Sequence, residues 1–501
     1  MLIPTKKKSS SSSGKYKNKK YLLFTVTFLG YSFALSFLVL QKDKLYSTIK
    51  NVLPLATRQI IKDSIPYQFY KSNNKLNIPY NYLKGLIQRI DPIYLDIKQE
   101  NFDKLLIKRN KALVNGVLIT EKDDFVDAII SEPNSSRKSK IRLKGDWTDH
   151  LQSNKWSYRL KIKGDKTFLG MKKFSLQSPV TRNYIWEWFY HKLLENEGLP
   201  SLRYFFMPLI VNGNNLGVYA LEEHFDKILI ESSHFKEGPI LKLSEDVFWM
   251  KKLNKTALGM EDEESFIKSF STGFKLNQIK KSDEQKNNFL IANQLLNGLH
   301  SDVLSTSEVF DIDLLAKYFA INDLMASSHS RTWHNQRFYY DPIQSKLIPI
   351  GFDANANRSP FRELSIADKH PWSRTLFKDL EFVKKYISAL EEVTDKDYLD
   401  KFLSENKDEF DKNRFILYKS FPALETDTNQ IYKNQNEIKK HLNPPLPLNA
   451  FLQNISQSEL TLSIGNNQVL PIEINGIEIN NQKIFIEPKI YRGKLDGDFV
   501  K

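Results

Sequence analysis

The sequence predicts an α+β protein with an apolar helix near its N-terminus and a small β module at its C-terminus. Three observations predict it. Apolar residues alternate from residue 141, most clearly at Trp156, Tyr158, Leu160 and Ile162, which is the period of a strand with one buried face. Residues 250–320 and 375–420 carry helical spacing, clearest in Leu314–Met325. Residues 455–492 alternate again and hold Asn-Gly and Asn-Asn turn pairs. At 501 residues and 41% apolar, the chain is long enough for more than one domain and apolar enough for a sizeable core. It has no cysteine, which excludes a disulfide scaffold, a thiol nucleophile and any Cys-ligated metal.

The elements follow in order. Residues 1–20 hold seven lysines and no acid, half of the net charge of +14. The remainder is therefore only mildly basic, and the bulk of the chain is not a nucleic-acid-binding protein. Residues 21–40, YLLFTVTFLGYSFALSFLVL, carry no charge and would span a bilayer as a helix of about 30 Å. The basic tail places that end in the cytoplasm and the bulk outside it. A cleaved signal peptide is the competing reading, but no small-x-small site precedes Gln41-Lys42-Asp43-Lys44. Residues 41–94 read as a polar stalk. A helix is expected around Asn101–Val114, opening a domain over 95–420. A second helix, Asn183–Glu197, ends at Gly198. Tyr204–Val211, the Asn212-Gly213 turn and Leu216–Glu222 form a hairpin. A further hairpin spans about 336–352. Asn443–Asn449 is a Pro-rich linker, and 450–501 is the β module.

The segment His329–Asn357 carries the most chemistry. Its hairpin, centred near Gln344, brings Asn335 and Asp353 together at the open end. An amide and a carboxylate so placed supply the oxygen ligands that Mg²⁺ or Mn²⁺ favour, and Asn355 could add another. The plainer alternative is loop capping by the same side chains. The order of elements sharpens the first reading. A cationic strand, a helix with acids, a hairpin, more helices and an Asn/Asp hairpin is the order found in protein kinases, where a strand lysine holds phosphates and a helix glutamate orients it. Lys144, Lys161 and Lys163 all qualify as that lysine; Glu187 is the helix acid, and Glu222 and Glu223 follow the first hairpin. The cationic face could equally be a solvated strand edge. A glycine-rich phosphate loop is absent. His329 and Asp323 are the candidates for proton transfer from an acceptor, and His329 and His334 are too far apart in sequence to share a helix face as zinc ligands.

Several ordered runs resemble one family. They are Arg142-Leu143-Lys144-Gly145-Asp146-Trp147, Lys155-Trp156-Ser157 to Lys161, Phe174-Ser175-Leu176-Gln177, Val211-Asn212-Gly213 with Gly217-Val218-Tyr219 to Lys227, Trp333-His334-Asn335-Gln336-Arg337, and Pro349-Ile350-Gly351-Phe352-Asp353. Over about 95–420 the chain is similar to the CotH (spore-coat protein H) kinase-like family. The resemblance implies an atypical protein-kinase-like fold, ATP as substrate, a divalent metal and a secreted or surface protein as acceptor, with Asn335 and Asp353 at metal-binding positions and Glu222 and Glu223 in the family's Gly-x-Tyr-x-x-x-Glu stretch. The chain departs from it twice. Phe352-Asp353-Ala354-Asn355 stands where many members have Trp-Asp-x-Asp, and His329 stands where many have Asp.

Three functions are compatible with these features. One is a membrane-anchored extracytoplasmic kinase using ATP with Mg²⁺ or Mn²⁺. Another is an inactive scaffold of the cell envelope whose cationic face binds an anionic polymer or protein. The third is a transferase acting on a glycan.

Overall fold

The computed structural model describes residues 77–253, 263–456 and 459–493. The basic tail, the apolar stretch 21–40 and the start of the stalk lie outside the described residues. Among the described residues, no helix is long and apolar enough to cross a membrane. Mixed helices and strands make up the described chain, as the α+β reading expects.

Seven strands close into a barrel: β1 (Ile93–Asp96), β2 (Val126–Glu132), β3 (Ser135–Leu143), β4 (Tyr158–Ile162), β5 (Lys173–Gln177), β6 (Tyr204–Val211) and β7 (Asn214–Glu223). Their order is β1-β2-β3-β4-β5-β7-β6, and the parallel pairing of β1 with β6 seals the ring. Alternation decides which way each side chain points. Tyr158, Leu160 and Ile162 pack with Phe174, Leu176, Ile141 and Leu143 inside the barrel. Arg159 and Lys161 therefore face outward, and so do Lys140 and Arg142 of β3. The β6–β7 turn uses two left-handed residues, Asn212 (φ 47°) and Gly213 (φ 80°), the turn geometry that matches strand twist. Residues 77–96 are not an irregular stalk. They form the helix Asn77–Ile87 and strand β1, so the folded unit starts earlier than the sequence suggests.

The second half is built around the helices Ile185–Asn196 and Ile312–Leu324 and a four-stranded sheet. That sheet has the order β11-β10-β8-β9, with β8 (Ile240–Leu243), β9 (Ser271–Gly273), β10 (Arg337–Asp341) and β11 (Lys346–Ile350). Nine residues of Ile185–Asn196 are buried. It is thus an interior helix rather than an amphipathic surface one, and its acid, Glu187, lies wholly inside. The hairpin pairs Phe338 with Pro349, one residue away from the expected register, because the turn between the last pair, Asp341 and Lys346, spans residues 342–345. Two hairpins, β12–β13 (Leu448–Ile455, Leu460–Asn466) and β14–β15 (Ile472–Ile479, Gln482–Tyr491), form the C-terminal β region.

Candidate functional site

Lys144 is the first residue past β3. Its backbone N–H donates to Ser157 O (2.8 Å), which continues the β3–β4 pairing by one step. Gly145 follows with φ 104°, and a Cβ there would meet the His150 ring at 2.5 Å, so only glycine lets the chain turn here. The Lys144 ammonium donates to Gln177 Oε1 and Glu222 Oε2, each at 2.5 Å. Glu222 is fully buried and lies opposite Ser175 in the β5–β7 ladder. Burial pulls Lys144 down to about 8, with Glu222 pulling the other way. Burial pushes Glu222 up, but Lys144, Arg182 and Arg159 together hold it below its ordinary value. The pair is therefore ionised at neutral pH.

The other candidate lysines stand elsewhere. Lys161 is exposed on the outer face of β4, with its ammonium 3.9 Å from the centre of the Phe125 ring. Lys163 pairs with Asp127 at 2.6 Å. Neither reaches Glu222, so Lys161 does not belong to the buried pair. Glu223 points away from it too: the strand alternation sends it to Arg203, which donates through Nε at 2.9 Å and through its backbone N–H at 3.2 Å. Glu187 does not orient a lysine. Its carboxylate accepts the backbone N–H groups of Ala354 (2.9 Å) and Asn355 (3.1 Å). Asp353, Asn355 and Asn357 adopt left-handed φ values of 52°, 49° and 53°. The alternation turns successive N–H groups inward to make an anion-binding concavity, which Glu187 fills. Burial nevertheless pushes Glu187 up to about 8.

Asp353 sits at the centre of the second cluster. Arg182 Nε lies 2.8 Å and His329 Nδ1 3.2 Å from its Oδ1. Burial pushes Asp353 up, yet Arg182 and His329 outweigh it and hold the carboxylate far below its usual range. His329 Nδ1 also lies 2.9 Å from the Asp353 carbonyl, and Asn335 Nδ2 donates to His329 O at 3.0 Å. Asn335 Nδ2 lies 3.2 Å from the same Nδ1. Burial pulls His329 down, but Asp353 outweighs it and raises His329 above its ordinary value, which favours a proton on Nδ1 and leaves Nε2 as the nitrogen free of Asp353. Asn335 and Asp353 are thus linked through His329. The Asn355 side chain turns outward to Arg358 at 3.4 Å; its contribution to the site is its backbone N–H.

Asp323 does not face an acceptor. It is buried and spent on Ser365 N (3.1 Å), Ser365 Oγ (2.6 Å), Arg331 (3.2 Å) and the Tyr386 hydroxyl. This is a structural anchor between the helix Ile312–Leu324 and the helix Leu380–Val393.

A hard divalent ion can be tested against these atoms. Asp353 is ionised and buried, and its Oδ1 lies against the Arg182 and His329 nitrogens. An oxygen of this kind next to the Asn335 amide fits Mg²⁺ or Mn²⁺ chemistry. Among the described residues the closest-set carboxylates lie elsewhere, at Glu121, Asp123 and Asp124. Lys108 already pairs with Glu121 (2.9 Å) and Asp124 (2.7 Å) there.

Two arginines complete the site, and pattern reading did not single them out. Arg182 comes from the turn Pro179–Arg182, where no periodicity flags it. Arg159 belonged only to a general cationic face, yet it is 8% exposed, its Nε has no hydrogen-bond partner, and burial pulls it down to about 10. Lys144, Arg159 and Arg182 thus converge on Glu222 and Asp353. All of these residues, with Glu187, His329 and Asn335, fall within 141–443, which matches the family model described as CotH kinase protein. No curated protein matches the chain. A match over more than half of the sequence, with the paired Lys144 and Glu222 and the Asn335/Asp353 cluster inside it, places the chain in the CotH kinase protein family.

Proposed function

We propose that this chain is a phosphotransferase that takes phosphate from ATP and passes it to a protein of the cell surface, working outside the cytoplasm from an anchor at residues 21–40. The observation that carries this reading is the convergence of Lys144, Arg159 and Arg182, with Arg159 Nε left unpartnered in a buried position. Fixed, desolvated cations hold phosphate oxygens and stabilise charge that spreads over a transferring phosphoryl group. Gln177 and Glu222 keep the Lys144 side chain from swinging, so it is aimed before any ligand arrives. Mg²⁺ or Mn²⁺ held by Asp353 and Asn335 would neutralise phosphate charge there. His329 is oriented by Asp353 through Nδ1, and its Nε2 takes the proton of the acceptor hydroxyl.

The second reading is a silent scaffold that binds phosphates without transferring them. It is favoured by the outward turn of Asn355, which leaves Asp353 without a second carboxylate beside it. Assays with γ-labelled ATP on the chain and its Asp353→Ala variant, with Mg²⁺, Mn²⁺ and chelator, separate the two. Metal-dependent label that the variant loses supports transfer. Nucleotide binding without label points to a site that holds ATP without transferring its phosphate. Absence of nucleotide binding by folded protein rejects transfer and leaves the scaffold to be tested against anionic polymers.

A further inference from the structure

The cationic face is a track rather than a patch. On β3 and just past it, every outward residue from 138 to 144 is basic: Lys138, Lys140, Arg142 and Lys144. On β4 the outward set is Arg159, Lys161 and then Lys163. The ladder places like charges directly across from one another. Arg142 faces Arg159 and Lys140 faces Lys161, while Lys173, across from Lys161, is held neutral by burial and these neighbours. Pairs of that kind destabilise a sheet, so two in neighbouring rows point to a ligand that neutralises them. Carboxylates among them are few: Asp127 pairs with Lys163 and Glu222 with Lys144, and Asp146 and Asp124 act on Arg142 from nearby. Exposure also falls along the track. Lys138, Lys140, Lys161 and Lys163 are exposed, Arg142 and Lys173 are half-buried, and Arg159 and Lys144 are buried.

From Lys138 to Lys144 the track runs for about 20 Å, and its rows recur every two residues, about 6.7 Å apart. That length suits a chain rather than one nucleotide, and the repeat equals the spacing of alternate side chains on an extended peptide. We infer that the track docks an extended acidic segment of the acceptor protein, with Asp, Glu or phosphoserine at alternate positions and the acceptor hydroxyl at the Lys144 end. Calling the peptide an acceptor rests on the phosphotransfer reading above; the docking itself does not.

The test uses the full chain and a fluorescent peptide in which Glu occupies every second position after a serine. Its Gln counterpart and inorganic polyphosphate serve as comparisons, and ATP affinity is measured in parallel. The Glu peptide should bind at least tenfold tighter than the Gln peptide at low salt, and weaken steeply as salt rises. Lys140→Glu combined with Lys161→Glu, at exposed positions that keep the fold, should erase that advantage and leave ATP affinity within twofold. Equal binding of the two peptides, or an unaffected double variant, overturns the inference. So does binding of polyphosphate alone, or a parallel loss of ATP affinity, which would make the track part of the nucleotide site. If the wild type shows the peptide preference but no ATP binding, the track stands and the phosphotransfer reading falls.

Discussion

Replacing Glu222 with Gln keeps the shape of the side chain and removes only its charge. Glu222 is fully buried, and Lys144 has 7% of its side chain exposed. Without the carboxylate, the Lys144 ammonium would face Arg159 and Arg182 with Gln177 as its remaining partner. Breaking a buried pair from one side costs about 3–5 kcal/mol, because the surviving charge stays desolvated. Urea unfolding of Glu222→Gln at pH 7 should show that loss. Adding Lys144→Met removes the stranded ammonium, so the double variant should regain about 2 kcal/mol or more over Glu222→Gln alone. The pH dependence follows from the same pair. Lys144 is depressed to about 8 in the folded protein from 10.5. Between those values the unfolded chain binds the extra proton, so its contribution to stability rises with pH from about 8 to 10.5 and is flat below. Lys144→Met should abolish that portion of the rise. A Glu222→Gln protein within about 1 kcal/mol of wild type, or a double variant no better than the single, would refute the idea that Glu222 compensates the buried cations.

Three further outcomes are expected. Gly145→Ala should lose about 1–3 kcal/mol in a denaturant titration, since its Cβ would overlap the His150 ring at a φ that alanine avoids; a loss under 0.5 kcal/mol would show that the loop gives way. Asp323→Asn should cost about 3 kcal/mol through the Arg331, Ser365 and Tyr386 contacts, while ATP affinity measured by calorimetry stays unchanged; a large drop in affinity without destabilisation would return Asp323 to the site. Lys173 is pulled down to about 6 by burial and by Arg159, Lys161 and Arg142. Its folded form sheds a proton that the unfolded chain keeps up to 10.5, so its penalty fades as pH rises. Lys173→Met should therefore be more stable than wild type at pH 7, with the difference shrinking toward pH 10 in paired unfolding curves.

What could be read from the sequence was whatever one segment decides for itself. The β4 alternation put Tyr158, Leu160 and Ile162 inside and Arg159 and Lys161 outside because a strand's period is fixed by its backbone. Asn212-Gly213 announced its turn because those residues tolerate positive φ. What one segment cannot decide is depth. Lys144 and Lys161 read alike as outward lysines of neighbouring strands. Yet the outward face is open to solvent at Lys161 and closed by Gln177 and Glu222 at Lys144. Glu222 is 78 residues from Lys144 in the chain, so no local pattern could choose between the lysines. The same limit hid Arg182, which comes from an irregular turn and acquires its role only when Asp353 folds against it.

The departures from the family pattern acquire a physical meaning in that geometry. Asn355 serves through its backbone N–H, which helps to hold Glu187. Any residue that accepts a left-handed φ can do that, and Asn does so more readily than most. Losing the side-chain carboxylate at 355 therefore leaves the loop intact and removes only negative charge. His329 adds to that change, placing an ionisable cation beside Asp353 where the family resemblance leads one to expect an acid. Both changes shift the site toward positive charge, next to Arg182, Arg159 and Lys144. On the reading proposed above, such a site favours phosphates over several metal ions, so phosphate affinity should survive conditions under which transfer fails. Whether His329 then acts as the base turns on its Nε2. His329→Gln retains an amide that can hydrogen-bond to Asp353 but has no lone pair basic enough to accept the acceptor's proton, so it should keep nucleotide binding and lose transfer.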